Sequence, residues 1–191
     1  MKLHFKYGTM NSSKTSNLLM MSYNLKQQNK NILLMKPSID NRFSTDEINS
    51  RVVDSQQVDL LITPEMYDFD SIIDTSNIEF ILIDEAQFLS SRNVEGLRDL
   101  TYKINVICYG LKTDYLTRLF EGSKRLLELA DSIEEIKNVC YNCNKKAIIN
   151  SKYLLNKETR MFNVVKEGEN SIDIGAENKY RSLCWFCWNE N

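Results

Sequence analysis

The chain has 191 residues, of which 42% are hydrophobic and 26% are charged, and its formal net charge is −2. These values are typical of an ordinary globular protein, and they exclude a strongly basic surface that would hold nucleic acid by charge alone. No apolar run approaches the roughly 20 residues that a membrane-spanning helix needs. Residues 1–7 also lack the apolar stretch of a signal peptide, so we expect a cytoplasmic protein with no membrane or nucleic-acid partner.

Short apolar runs along the chain predict a parallel sheet. The run Leu3 to Tyr7 predicts a first strand, and Ser16 to Gln28 has the apolar face of a helix. Three further runs without alternation are typical of strands buried on both faces: 31–35, 80–83 and 105–109. Residues 91–103 and 122–129 predict helices that would cover those faces. The repeated strand–helix order predicts an α/β fold, with a parallel sheet flanked by helices.

Two other regions differ in composition from this pattern. Residues 38–58 are polar and have no clear period, so we interpret them as a mobile loop. Near Cys140 a segment rich in cysteine and lysine replaces the strand–helix pattern. We therefore expect a domain boundary there, with one domain over residues 1–139 and a small second domain over residues 140–191.

Residues 8–15, Gly-Thr-Met-Asn-Ser-Ser-Lys-Thr, nearly match the phosphate-loop pattern G-x-x-x-x-G-K-[ST]. Gly8, Lys14 and Thr15 fit, whereas Ser13 stands where the pattern has its second glycine. In such a loop the backbone amides surround the phosphates, the lysine reaches the β and γ oxygens, and the hydroxyl binds Mg²⁺. The preceding strand and the following helix supply the required context. The alternative is a polar turn in which Thr15 or the next residue caps the helix.

Two carboxylates, Asp84 and Glu85, follow the apolar run that ends at Ile83. In phosphate-loop proteins this arrangement places the aspartate beside the Mg²⁺ that the loop hydroxyl binds. Glu85 would then face the site, where it would take a proton from an acceptor hydroxyl or orient a water. The alternative is a strand end that carries two solvated acids.

Four cysteines form two Cys-x-x-Cys pairs, Cys140 with Cys143 and Cys184 with Cys187. In a reducing compartment such pairs bind metal more often than they form disulfides. Four thiolates suit a tetrahedral Zn²⁺ and leave no position for water, which indicates a structural site. The alternatives are four unrelated buried cysteines or a redox pair. Cys108 lies in an apolar run and is interpreted as a small buried hydrophobe.

These features together resemble the type II thymidine kinases, the family of the human cytosolic and bacterial enzymes. The resemblance runs nearly from end to end of the chain. The segments that carry it are residues 8–15, Asp40-Asn41-Arg42, Asp84-Glu85-Ala86-Gln87-Phe88, Tyr109-Gly110-Leu111, the two cysteine pairs, and Ile174-Gly175 with Lys179-Tyr180.

The resemblance implies transfer of the γ-phosphate of ATP to the 5′-hydroxyl of thymidine, with Mg²⁺ accompanying ATP and Glu85 as the general base. The implied nucleotide-binding residues are Gly8, Thr9, Met10, Asn11, Ser12, Ser13, Lys14, Thr15, Arg42 and Asp84. The implied nucleoside-binding residues are Met10, Phe88, Leu111, Tyr115, Phe120 and Tyr180, together with Ile172, Asp173, Ile174, Gly175 and Ala176 in a lid between the cysteine pairs of the small zinc-binding domain. It also implies a homotetramer that dTTP inhibits.

Considered without the resemblance, several of these residues have simpler interpretations. Asp40 to Arg42 is an Asx turn, and the aromatic residues belong to the core. Ser13 and Ala176 depart from the family pattern, and from these departures we expect an active but slower enzyme. The rival hypotheses are a P-loop ATPase, a kinase for another acceptor, a zinc module that binds nucleotide or nucleic acid, and a degenerate relative without catalysis.

Overall fold

The structure is a computed structural model that describes residues 1–39, 47–50, 53–155, 162–168 and 179–190. Its strands are β1 (Leu3–Tyr7), β2 (Ile32–Pro37), β3 (Glu47–Ile48), β4 (Gln56–Gln57), β5 (Leu60–Ile62), β6 (Phe80–Ile83), β7 (Asn105–Gly110), β8 (Ser132–Glu135), β9 (Ile149–Leu155), β10 (Phe162–Val164) and β11 (Tyr180–Leu183). Its helices are α1 (Lys14–Gln27), α2 (Phe69–Ile72), α3 (Ser91–Leu100), α4 (Glu121–Leu129) and α5 (Trp185–Asn189), with a 3₁₀ turn at Ala86–Phe88.

A six-stranded sheet in the order β5-β2-β6-β7-β1-β8 forms the centre of the fold, and its strands pair in parallel. This confirms the predicted α/β class. The sheet has two strands that the sequence did not predict, β5 and β8. Three of the four residues of β8 are exposed, so it lacks the apolar run by which a buried strand is recognised.

Consecutive residues of the central strands face opposite sides of the sheet, and both sides are buried. On one side Leu82 packs with Leu18 and Leu19 of α1. On the other side Ile81 and Ile83 pack in a cluster that contains Leu97 of α3 and Leu126 of α4. Because strand side chains alternate in direction, a strand covered by helices on both faces must be apolar throughout. Each such side chain contributes roughly 1.5–3 kcal/mol when it is fully buried.

The loop expected over residues 38–58 is partly regular in the residues that are described, so this prediction was wrong there. Strands β3 and β4 pair antiparallel, with Ile48 opposite Gln56. Ile48 is 2% exposed and packs in the cluster that contains Leu18. Val53 and Val58 pack against the same cluster, so a few apolar side chains hold this polar segment against the core. Residues 40–46 and 51–52 lie outside the described residues.

A second, antiparallel sheet in the order β10-β9-β11 lies in the C-terminal part of the chain. Its apolar cluster contains Cys140, Tyr153, Leu183 and Cys184. Two of the four predicted metal ligands thus belong to the small core of this part. Among the described helices, none combines the length and the apolarity that crossing a membrane would require.

Candidate active site

The carboxyl ends of three neighbouring strands bring the predicted motifs to one edge of the sheet. Gly8 follows β1, Asp84 follows β6, and Leu111 follows β7. Because β7 lies between β1 and β6 in a parallel sheet, these ends lie side by side. Gly8 N–H donates to the carbonyl of Gly110 at 3.2 Å, which joins the first motif to the end of β7. Ligands of open α/β sheets bind outside such strand ends.

The phosphate-loop segment is a tight turn with two residues in the left-handed region, Asn11 at φ 58° and Ser13 at φ 63°. A Cβ on Gly8 would lie 2.4 Å from the Ser12 hydroxyl oxygen, so only glycine allows this close approach. Helix α1 begins at Lys14, directly after Ser13, and no side-chain hydrogen bond caps it. The alternative of a turn capped by Thr15 or Ser16 is therefore wrong.

Polar groups inside this loop suit an anion. Lys14 is 9% exposed, and its Nζ donates to the carbonyl of Thr9 at 2.8 Å. The Ser12 hydroxyl is buried and has no hydrogen-bond partner among the described residues. A buried hydroxyl without a partner is uncommon and calls for a ligand or an ion. The loop at the N-terminus of α1 can therefore accept phosphate oxygens.

We expect the left-handed backbone at Ser13 to cost stability that a glycine would recover. Ser13→Gly and Ser13→Ala both remove the hydroxyl, but only alanine keeps the Cβ that disfavours positive φ. The free energy of unfolding of the glycine variant should exceed that of the alanine variant by about 1 kcal/mol. Urea unfolding of the two variants measures this difference. Equal stabilities would show that the position is not strained.

Thr15 and Asp84, which lie 69 residues apart in sequence, are joined by a hydrogen bond. The Thr15 hydroxyl donates to Asp84 Oδ2 at 3.0 Å. Burial, together with the neighbouring Glu85, raises the pKa of Asp84 to about 7, and the hydrogen bond from Thr15 acts in the opposite direction. A divalent cation here would favour the ionised carboxylate. A hydroxyl and a carboxylate thus lie together, and oxygen donors of this kind are the ligands that Mg²⁺ prefers.

Glu85 adopts a left-handed backbone, with φ 51°. Gln87 is 2% exposed, and its Nε2 donates to Glu85 Oε2. The Oε1 of Gln87 accepts from the N–H of Leu111 at 2.9 Å. One buried amide therefore fixes the Glu85 carboxylate to the end of β7. Strained backbone held by its surroundings is frequent at functional sites.

The role of Gln87 was missed at the sequence level, although it lies within the run that carries the family resemblance. A single glutamine between Ala86 and Phe88 has no periodic or spacing signal. Only the fold, which brings Leu111 of the next strand beside it, gives it two partners.

The predicted nucleoside residues are only partly brought together. The rings of Phe88 and Phe120 pack edge to face, with centroids 5.8 Å apart. Tyr115 is 5% exposed and lies under the ammonium of Lys152 at 5.0 Å. Leu111 follows β7, Met10 lies in the phosphate loop, and Tyr180 begins β11. The predicted residues that lie outside the described part of the chain are Asp40, Asn41, Arg42, Ile172, Asp173, Ile174, Gly175 and Ala176.

The sulfur atoms of Cys140, Cys143, Cys184 and Cys187 all lie within 4.8 Å of one another. The Sγ of Cys143 is 3.6 Å from those of Cys184 and Cys187. Zn–S bonds of about 2.3 Å place tetrahedral sulfur ligands about 3.8 Å apart. Burial opposes ionisation of Cys140, but backbone N–H groups donate to its sulfur and lower its pKa to about 6. The cluster is compatible with a structural metal ion and is not a set of unrelated cysteines.

Cys108 lies in β7, apart from this cluster. It is fully buried in the core beneath α3 and α4. Burial in apolar surroundings raises the pKa of its thiol. The prediction of a small buried hydrophobe is confirmed.

Comparison with known proteins gives the family. The family model described as thymidine kinase matches residues 1–188. The thymidine kinase of Haemophilus influenzae is 42% identical over 96% of this chain and 93% of its own length. The thymidine kinase of Mannheimia succiniciproducens is 42% identical over 97% of this chain and 93% of its own length. That of Pasteurella multocida is 39% identical over 96% of this chain and 94% of its own length. The chain therefore belongs to the thymidine kinase family.

Proposed function

We propose that the protein is a thymidine kinase that transfers the γ-phosphate of ATP to the 5′-hydroxyl of thymidine and gives dTMP. The observation that carries this proposal is the hydrogen bond from Thr15 to Asp84, because it joins the phosphate loop to the acidic pair. Glu85, the next residue, would then face the acceptor hydroxyl. Family membership over nearly the whole chain supports the choice of thymidine as the acceptor.

Phosphoryl transfer depends mainly on positioning and on the neutralisation of charge. The amides of residues 8–15 and the Lys14 ammonium would hold the phosphates of ATP, and Arg42 would lie near the transferred group. Thr15 and Asp84 would hold Mg²⁺, which supplies charge neutralisation across the β- and γ-phosphates when it is bound. Lys14, Thr15 and Asp84 lie together at one edge of the sheet, whereas Arg42 lies outside the described residues.

Glu85 would accept the proton of the 5′-hydroxyl as the oxygen attacks phosphorus. Gln87 would hold the Glu85 carboxylate in position, since its amide bonds that side chain on one side and Leu111 N–H on the other. Phe88 and Phe120 would offer flat walls to the pyrimidine ring. Residues 172–176 would cover the base and keep water from the reacting phosphate.

We further propose that the four cysteines hold one structural Zn²⁺ and that the protein works in the cytoplasm, where thiols stay reduced. The family resemblance supports a homotetramer and inhibition by dTTP. Light scattering would test the tetramer, and a molar mass of a single chain would rule it out. Titrating dTTP into an assay of thymidine-dependent ADP release would test the inhibition.

The proposed activity is tested by ADP release with ATP and Mg²⁺, measured with and without thymidine. We expect turnover that depends on thymidine. Turnover of equal rate without a nucleoside would indicate an ATPase, and dependence on another nucleoside would change the acceptor. If the protein binds ATP and one zinc but shows no turnover, a binding role would remain instead.

A further inference from the structure

Three polar side chains from the C-terminal part of the chain converge on Met10 of the phosphate loop. Met10 N–H donates to Asn150 Oδ1 at 2.7 Å. The Met10 carbonyl accepts from the Ser182 hydroxyl at 2.7 Å and from Asn138 Nδ2 at 3.2 Å. We call Met10, Asn138, Asn150 and Ser182 the Met10 clamp. It fixes both the donor and the acceptor of one residue in the loop proposed to hold ATP.

Two members of the Met10 clamp form a rigid pair on the small sheet. Ser182 of β11 lies directly opposite Asn150 of β9 in the antiparallel register. Directly opposed side chains lie on the same face, which is why both reach the same residue. Asn150 is 4% exposed and Ser182 is 6% exposed. Both side chains therefore bond Met10 where water has little access.

The Met10 clamp is also joined to the four cysteines through the backbone. Asn138 precedes Cys140 by two residues, and Ser182 precedes Cys184 by two. The Ser182 carbonyl accepts from the N–H of Tyr141, which lies inside the first cysteine pair. The path from each cysteine pair to a residue that bonds Met10 is therefore only two residues long.

We propose that metal binding at the four cysteines and phosphate binding at the loop are energetically coupled through the Met10 clamp. This rests on the proposed function, because it takes ATP as the ligand of the loop. Metal that fixes Cys140 and Cys184 holds Asn138 and Ser182 where they bond Met10. Coupling between two sites is reciprocal. If bound metal raises the affinity for ATP by a given factor, bound ATP must raise the affinity for the metal by the same factor. Ser182 and Asn150 are positioning residues, since they touch the loop backbone and not the reacting atoms.

The test is an equilibrium competition for Zn²⁺ between the protein and a chromophoric chelator, with and without saturating Mg-ATP. In the unmodified protein we expect ATP to raise the Zn²⁺ affinity by about fivefold or more. Ser182→Ala should lower this factor below about twofold, and Ser182→Thr, which keeps the hydroxyl, should restore it. The same titration without protein corrects for the Zn²⁺ that ATP itself binds.

Calorimetry of ATP binding to the unmodified protein distinguishes failure of the coupling from failure of the proposed function. If ATP binds but the Zn²⁺ affinity does not change, the coupling is overturned and the proposed function stands. If ATP does not bind, the proposed function fails and the coupling with it. If the Ser182→Ala variant keeps the full ATP-dependent increase in Zn²⁺ affinity, the Met10 clamp is not what couples the two sites. Should that variant not fold, Asn138→Ala must lower the factor instead; it removes the longer bond to the Met10 carbonyl together with the side-chain bonds to Thr9 Oγ1 and from Val139 N–H.

Discussion

Glu85→Gln is expected to lower kcat by about 10²–10⁴-fold, because a glutamine cannot accept the proton of the 5′-hydroxyl. The exchange keeps the size of the side chain and an oxygen that can accept from Gln87, so the geometry of the site should survive. The KM for ATP should change little, since the phosphates would be bound by the loop around Lys14. Steady-state kinetics of thymidine-dependent ADP release measures both quantities.

The matched control for this variant is Glu128→Gln, which removes a carboxylate from α4. Glu128 pairs with Arg125 at 2.8 Å and its side chain is 43% exposed, so its loss should leave kcat unchanged. A Glu85→Gln variant within tenfold of the unmodified kcat would contradict the assignment of the base. Asp84 would then be the next candidate, because it bonds Thr15 of the phosphate loop.

Cys184→Ser should abolish metal binding and unfold the C-terminal part of the chain. The Sγ of Cys184 lies in the four-sulfur cluster, and its side chain, 3% exposed, belongs to the small core with Tyr153 and Leu183. A structural Zn²⁺ contributes roughly 10–16 kcal/mol in small zinc-dependent domains, far more than a core of this size supplies. We expect less than one zinc for every ten chains by mass spectrometry, compared with one per chain in the unmodified protein.

The two tryptophans of the chain report this unfolding selectively, because both lie in α5. The rings of Trp185 and Trp188 are 5.4 Å apart. Trp185 is already half exposed, whereas Trp188 is partly buried and packs against the small core. The Trp188 fluorescence should therefore shift to the red in Cys184→Ser while the far-ultraviolet signal of the larger sheet persists. Cys108→Ala is the control, because it removes a thiol outside the cluster. It should keep its zinc and lose about 1 kcal/mol of stability. Full zinc content in Cys184→Ser would refute a four-cysteine site.

The central strands were predictable because burial on both faces requires continuous apolar runs, as at Ile81 to Ile83. Strand β8 was not, since it lies at the edge and its side chains are mostly exposed. The phosphate loop was recognisable by its residue types, but the left-handed geometry of Ser13 was not. The Met10 clamp could not be predicted either, because the bond from Met10 to Asn150 spans 140 residues and the bond from Ser182 to Met10 spans 172. Polar partners so far apart leave no pattern in a single sequence.

The exposed strand β8 also bears on aggregation. An open sheet ends in unpaired backbone groups, which can recruit a strand from another chain. At this edge Glu134 pairs with Lys6 at 2.9 Å, and Glu135 pairs with Lys146 at 2.7 Å. The opposite edge is β5, which has only three residues. Charged side chains on β8 and the shortness of β5 both hinder pairing with a strand of another chain. We therefore expect the sheet to resist edge-to-edge aggregation into a fibre.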